Sequence, residues 1–317
     1  MSFSPLASSA VLRSLALVVA TLLASESLFA SVMPQGRGGI EKRTYFFEEA
    51  DKDMEYALFV PKSYKKSKAS PLVVLLHGLG SNPNQVIRYR GIVSEAQDRG
   101  YLVVAPYGYN SRGWYGSRGQ GKKGYMFGRA GDPDNLGELS EKDVMNVLEI
   151  VRDEFQIDEN RIYLMGHSMG GAGTVYLGSK YPEIWAGLAP LAPALDGRLE
   201  LIDSMKELPV MVVTGDRDRL VPVQNVRRWV NRMKELEMAV EYKEIERGDH
   251  VRVIAQNPEM IAEVFDFFDK QARPAGKGKK KAGKSKGKQK DSKSKDKADQ
   301  RREKEKAGKQ PQKVGVR

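Results

Sequence analysis

Tyr163-Leu164-Met165-Gly166-His167-Ser168-Met169-Gly170-Gly171-Ala172-Gly173 is the stretch whose reading decides the fold. The run from Arg161 to Met165 reads as a buried strand. Gly166-His167-Ser168-Met169-Gly170 fits G-x-S-x-G, and small residues then lead into a helical pattern. This strand–turn–helix order is the setting of a nucleophile elbow. A serine lifted above a sheet edge sits on a strained turn, and side chains two positions to either side would strike neighbouring backbone. Glycine removes the collision. The helix that follows turns its N-terminal N–H groups toward the serine, which favours negative charge there.

Outward from this stretch, both ends of the 317-residue chain differ from its middle. Arg13 precedes an apolar run from Leu15 to Ala24, and small residues follow to about Ala30. The run is short for a membrane span and reads as a secretory signal, so the protein is expected to be exported, periplasmic or extracellular. Leu28 stands where a signal peptidase prefers a small residue. The competing reading is an uncleaved N-terminal anchor. At the other end, residues 271–317 hold 19 Lys and Arg against 5 Asp and Glu. The remaining 33 basic and 36 acidic residues nearly balance, so the formal net charge of +11 belongs to the tail. A tail so polar cannot bury enough apolar area to fold. It is expected to be a solubilising extension or to contact anionic polymers or surfaces. Without aromatic residues it has no stacking platform for single-stranded nucleic acid.

The chain has no cysteine, which excludes disulfides, thiolate nucleophiles and a lipoprotein anchor. Its three histidines are not paired at metal-ligand spacing, so no zinc site is expected. The expected organisation is a signal peptide over 1–30, a linker over 31–44, one catalytic domain over 45–270 and a disordered tail over 271–317.

Within the middle, Met54 to Val60 alternates and stops at Pro61, as a peripheral antiparallel strand does. Leu72 to Leu76 and Tyr101 to Ala105 are continuous apolar runs of the kind buried on both faces. Asn82-Pro83 predicts the start of a helix running to about Gly100. Ser140, with Asp143 three residues on, predicts the start of another, with Val144, Val147, Leu148 and Val151 as its apolar stripe. Ile184–Leu188, Val210–Val213 and Val240–Ile245 complete the strands, and helices are expected from Pro222 and Pro258. Residues 107–137 show neither period. Their Trp114 and Tyr115 are candidates for a substrate pocket, and Arg112 or Lys122 for meeting a carboxylate. The fold class is therefore α/β, a mostly parallel sheet flanked by helices. The 189–209 linker is too short for a large cap domain.

A serine hydroxyl needs a nearby base. His77 ends a strand before a tight turn, and His167 adjoins the nucleophile with its ring turned elsewhere, which leaves His250 as the base. Asp216 and Asp218 both qualify as the acid that orients it, and Asp249 adjoins His250 too closely to reach its ring.

Ser, Asp and His in that order resemble the α/β-hydrolase family. The likeness rests on His77-Gly78 after a buried strand, the elbow, Asp218 ahead of Val221-Pro222, and Gly248-Asp249-His250. Within that family the chain is similar to secreted esterases grouped with polyhydroxybutyrate depolymerases and feruloyl esterases. Asp143 and Ile157-Asp158-Glu159-Asn160-Arg161-Ile162-Tyr163 carry this likeness, which extends to prolyl-oligopeptidase-like hydrolases. The resemblance selects Asp218 as the acid and makes Asp216 a turn residue. It places the two oxyanion donors on the backbone N–H groups of Leu79 and Met169, and it implies an ester substrate and no cofactor or metal. Peptide cleavage and a catalytically silent binding protein are the alternatives.

Overall fold

The computed structural model describes residues 38–121 and 129–274. The signal segment 1–30, Lys122 and the lysine-rich tail from residue 275 lie outside the described residues.

Among the described residues eight strands form one sheet in the order β1-β2-β4-β3-β5-β6-β7-β8. In chain order the elements are β1 (Ile40–Phe47), β2 (Lys52–Phe59), β3 (Ser70–Leu76), α1 (Pro83–Val86), α2 (Ile92–Arg99), β4 (Leu102–Pro106), α3 (Leu136–Glu154), β5 (Ile157–His167), α4 (Met169–Lys180), β6 (Gly187–Leu191), α5 (Leu201–Ser204), β7 (Val210–Gly215), α6 (Val223–Glu235), β8 (Val240–Ile245), α7 (Arg252–Ala255) and α8 (Pro258–Asp269). β2 runs antiparallel to β1 and β4, and the pairings from β4 to β8 are parallel. This is the α/β-hydrolase architecture without a large cap.

Alternation along the central strands splits the core in two. Leu72, Val74, Leu76, Ile162 and Leu164 face one layer, where α3, α4 and α6 pack. Val73, Leu75, Tyr163 and Met165 face the other, against α2 and α8. Side chains on a strand point to opposite faces in turn, so a strand covered on both sides reads as one unbroken apolar run. That explains why β3, β4 and β5 stand out in the sequence. The stripe of α3 and the Val226, Trp229, Val230 and Met233 face of α6 also lie in the first layer.

Four expectations are corrected. The sheet begins at Ile40, inside the expected linker, because every residue of Ile40–Phe47 pairs with β2. Its three charges among eight residues hid this edge strand. The helix expected over 83–100 is two helices. Gly91 sits at φ +96°, and the Arg90 N–H leaves the helical ladder to bond the Ala255 carbonyl. α3 begins at Leu136, a turn before Ser140. Ser140 and Asp143 are buried inside the helix, where they hold a loop in place of a cap. The Ser140 hydroxyl donates to the Gly108 carbonyl at 2.6 Å and accepts the Tyr115 N–H at 2.9 Å. Asp143 accepts the Tyr45 hydroxyl and the Gly108 N–H, both at 2.6 Å. Finally, strand β6 spans Gly187–Leu191, displaced from the expected Ile184–Leu188.

Candidate active site

β5 and β3 are adjacent and central, and their carboxyl ends deliver Ser168 and the Gly78-Leu79 turn to one rim. Parallel sheets keep their sites at this end. Ser168 has φ 59° and ψ −113°, a conformation a serine adopts only under constraint. Three backbone bonds supply the constraint. Its N–H bonds the Leu191 carbonyl at 2.9 Å, and its carbonyl accepts from Ala172 at 3.0 Å and from Ala194 at 3.0 Å. The flanking glycines are steric necessities. A Cβ on Gly166 would lie 2.3 Å from the Gly170 carbonyl oxygen, and one on Gly170 would lie 2.2 Å from that of Leu76.

The three residues expected to act together come together. The Ser168 Oγ lies 2.8 Å from His250 Nε2, and His250 Nδ1 lies 2.6 Å from Asp218 Oδ2. A carboxylate only accepts, so Nδ1 carries the proton and Nε2 accepts the Ser168 hydroxyl. The other oxygen of Asp218 accepts the N–H groups of Leu220 at 2.8 Å and Val221 at 2.7 Å. Burial pushes the Asp218 carboxyl up. The bond from His250 and the two backbone donors outweigh it and leave its pKa below the ordinary value. Asp216 reaches none of this. It lies in the turn after β7, as expected, with its Oδ1 buried without a hydrogen-bond partner among the described residues. Asp249 shapes its loop by accepting the N–H groups of Val251 and Arg252.

The other two histidines hold backbone. His77 is fully buried, with Nδ1 2.8 Å from the Gly78 carbonyl and Nε2 2.8 Å from that of Tyr107. Burial lowers its pKa, against the pull of the two carbonyls. His167 donates from Nε2 to the His250 carbonyl at 2.8 Å, and its Nδ1 accepts the Tyr89 hydroxyl at 3.0 Å. Burial lowers its pKa to about 4, so its ring is neutral beside the base. Neither Tyr89 nor this role of His167 is visible in the sequence, since each depends on a contact about 80 residues away in the chain.

Met169 is the first residue of α4, so its N–H has no partner within the helix. Leu79 follows the turn after β3. Both residues expected as oxyanion donors therefore lie beside Ser168. A cavity of about 750 Å³ opens in front of them, lined by Leu79, Ser168 and His250 together with Tyr89, Trp114 and Arg118. Trp114 lines it as expected, with the Arg118 guanidinium 4.5 Å over its ring. Tyr115 does not. Its ring is fully buried, its hydroxyl accepts the His77 N–H at 3.0 Å and donates to the His77 carbonyl at 3.2 Å, and it holds the loop in place of a ligand. Arg112 is likewise spent on buried Asp132. Among the described residues no cluster of His, Asp or Glu is arranged to hold a metal ion.

The geometry has relatives. The rat (Rattus norvegicus) S-formylglutathione hydrolase is 28% identical over 166 residues, 49% of this chain and 57% of the relative. Cutinase 2 of Thermobifida cellulosilytica is 32% identical over 95 residues, 30% of this chain and 35% of the relative. The chain thus covers well under two thirds of the curated relatives it matches. A solved thermostable esterase superposes with a TM-score of 0.56 at 26% identity, covering 74% of this chain and 63% of that one. A ferulic acid esterase gives 0.57 at 17% identity, over 73% and 97%, and shares the fold. The Esterase family model matches residues 48–259, which spans the elbow, Asp218 and His250. The chain belongs to the Esterase family.

Proposed function

We propose that the protein is an exported serine hydrolase that cleaves carboxylic esters through an acyl-serine intermediate. The observation that carries this reading is the unbroken line of hydrogen bonds from Ser168 through His250 to Asp218. Ser168 Oγ attacks the ester carbonyl carbon while its proton passes to His250 Nε2. The charge that develops on the carbonyl oxygen is held by the N–H groups of Leu79 and Met169. Asp218 fixes the His250 tautomer and steadies the imidazolium. The tetrahedral intermediate collapses, and the departing alcohol oxygen takes the proton from Nε2. Water then repeats the sequence on the acyl-serine, giving the acid and restoring Ser168. The residues need no metal or cofactor for any of these steps.

Membership of the Esterase family and the likeness to esterases and cutinases support an ester over a peptide bond. Export rests on the pattern of residues 1–30. We read 45–270 as the catalytic domain, extended on its N-terminal side by β1, and 271–317 as a solubilising extension. The deciding experiment compares the protein with Ser168→Ala. The wild type hydrolyses 4-nitrophenyl acetate and is labelled by a fluorophosphonate, and the variant does neither. Labelling without ester turnover would favour a peptidase. No labelling of the wild type would favour the silent binding protein.

A further inference from the structure

Beside the nucleophile cavity lies a second depression of about 570 Å³ that uses no residue of the proposed chemistry except His250. The two share a wall made of Leu220, His250 and Val251, so they adjoin at the base. The second is lined by Arg217, Arg219, Arg247 and Arg252, with Asp249 as the one acidic residue among the described lining residues. Asp249 is already engaged by two backbone N–H groups. All four arginines are exposed. Arg247 and Arg252 have only loose contacts, each 3.7 Å, to Glu246 and Asp249. Arg217 and Arg219 enter no ion pair among the described residues. This contrasts with Arg43, Arg99, Arg112 and Arg227, each closely paired with a carboxylate. Outside the tail the chain carries a slight acidic excess, so four open guanidinium groups around one groove are a local concentration against the general balance.

Position says which part of a substrate they meet. The departing alcohol oxygen takes its proton from His250 Nε2, so it lies against His250. The arginine groove shares His250, Leu220 and Val251 with the nucleophile cavity and so adjoins that oxygen's side of the site. We infer, on the basis of the ester-hydrolase reading above, that the enzyme acts on esters whose alcohol portion carries an anionic group, a carboxylate or phosphate, seated among Arg217, Arg219, Arg247 and Arg252. Guanidinium groups bind such planar or multidentate anions through paired N–H donors. The apolar Leu220 and Val251, both exposed at the shared wall, cover the linker between the anion and the scissile bond.

The test uses two acetate esters that differ in one charge, 4-acetoxybenzoate and 4-acetoxybenzamide. They are assayed on the full-length protein and on full-length variants carrying Arg217→Gln with Arg219→Gln, Arg247→Gln with Arg252→Gln, or all four. The basic tail is common to every protein and cancels. The ratio of kcat/KM for the anionic to the neutral ester is expected to fall about tenfold in the fourfold variant. The wild-type ratio should fall between 50 and 500 mM NaCl, and the variant ratio should not. A ratio indifferent to both the substitutions and salt overturns the inference. So does an equal response from 4-nitrophenyl hemisuccinate, which carries its charge on the acyl side. If the wild type hydrolyses neither these acetates nor 4-nitrophenyl acetate, the esterase reading fails by itself. The groove is then decided by NMR titration of 4-hydroxybenzoate against 4-hydroxybenzamide. Tighter binding of the anion, lost in the variant, upholds the groove, and equal binding removes it.

Discussion

Two loops meet at Ser168, and they are built on opposite principles. The elbow, Gly166 to Gly170, is specified by its own residues: any Cβ at its glycines would strike backbone of β3 or α4 within 2.3 Å. The loop from Tyr107 to Ser117 is specified from elsewhere. Ser140 and Asp143 on α3 hold Gly108 and Tyr115, and Tyr115 in turn ties to His77. A locally determined loop leaves a short signature that survives without context. A loop pinned by distant polar partners leaves glycines and aromatics with no period. Both are pinned by named contacts, and only one announces itself.

The largest effect expected on the elbow side is chemical. Asp218→Asn keeps the size of the side chain and removes the acceptor that fixes the His250 tautomer. A loss of about 10⁴ in kcat with little change in thermal stability is expected, read by initial rates and melting curves. A rate within tenfold of wild type would remove Asp218 from the mechanism. Gly170→Ala tests whether the elbow is as locally determined as its contacts say. Alanine within a helix ordinarily stabilises, by about 1 kcal/mol. Here its methyl would meet the Leu76 carbonyl at 2.2 Å and that of His77 at 2.8 Å, so a loss of about 3 kcal/mol is expected in denaturant unfolding. An unchanged midpoint would show that β3 can give way and would blur the distinction between the loops.

His167 gives the elbow a pH signature. Its folded pKa of about 4 lies below the ordinary 6.5, so the unfolded chain takes up a proton first as pH falls. The stability it contributes is complete above pH 6.5 and is lost progressively between 6.5 and 4, by on the order of 3 kcal/mol. His77 acts in the same direction. His167→Gln should flatten that part of the stability profile, and an identical slope in both proteins would show that the ring is not the group that titrates. The smallest effect belongs to the other loop. Ser140→Ala leaves the buried Gly108 carbonyl without the hydroxyl donor and the Tyr115 N–H without its acceptor, at a cost of about 2 kcal/mol. Because Trp114 adjoins Tyr115 and lines the cavity, KM should rise more than kcat falls. A purely thermal effect, with kinetics untouched, would show that the loop positions nothing in the cavity.

The same difference explains what could be read in advance. β3, β4 and β5 were legible because burial on both faces writes an unbroken apolar run, and Ser168 because its turn must have glycine. His250 followed by elimination among three histidines, and Asp218 from the family resemblance, since spacing alone left Asp216 open. β1 was missed because Glu41, Lys42 and Arg43 look like linker, although Arg43 is held by Glu41 and Glu154 across the layer. Tyr115 was misassigned because an aromatic residue beside glycines looks the same whether it faces a ligand or the interior. The cap expected at Ser140 failed for a related reason. Serine and aspartate three apart fit a helix start, and they also fit two buried acceptors on one face of a helix already running.

The nucleophile and its base are not held equally firmly. Ser168 rises from β5, which is flanked by β3 and β6, whereas His250 follows β8, the last strand in the order, with β7 as its only neighbour among the described residues. Amide protection generally decreases from the middle of a sheet toward its margins. Fraying of β8 would therefore silence the chemistry while most of the molecule stayed folded. The bond from His167 to the His250 carbonyl works against this. It fastens a marginal loop to the centre of the sheet, so the residue next to the nucleophile also sets how often the base is at its post.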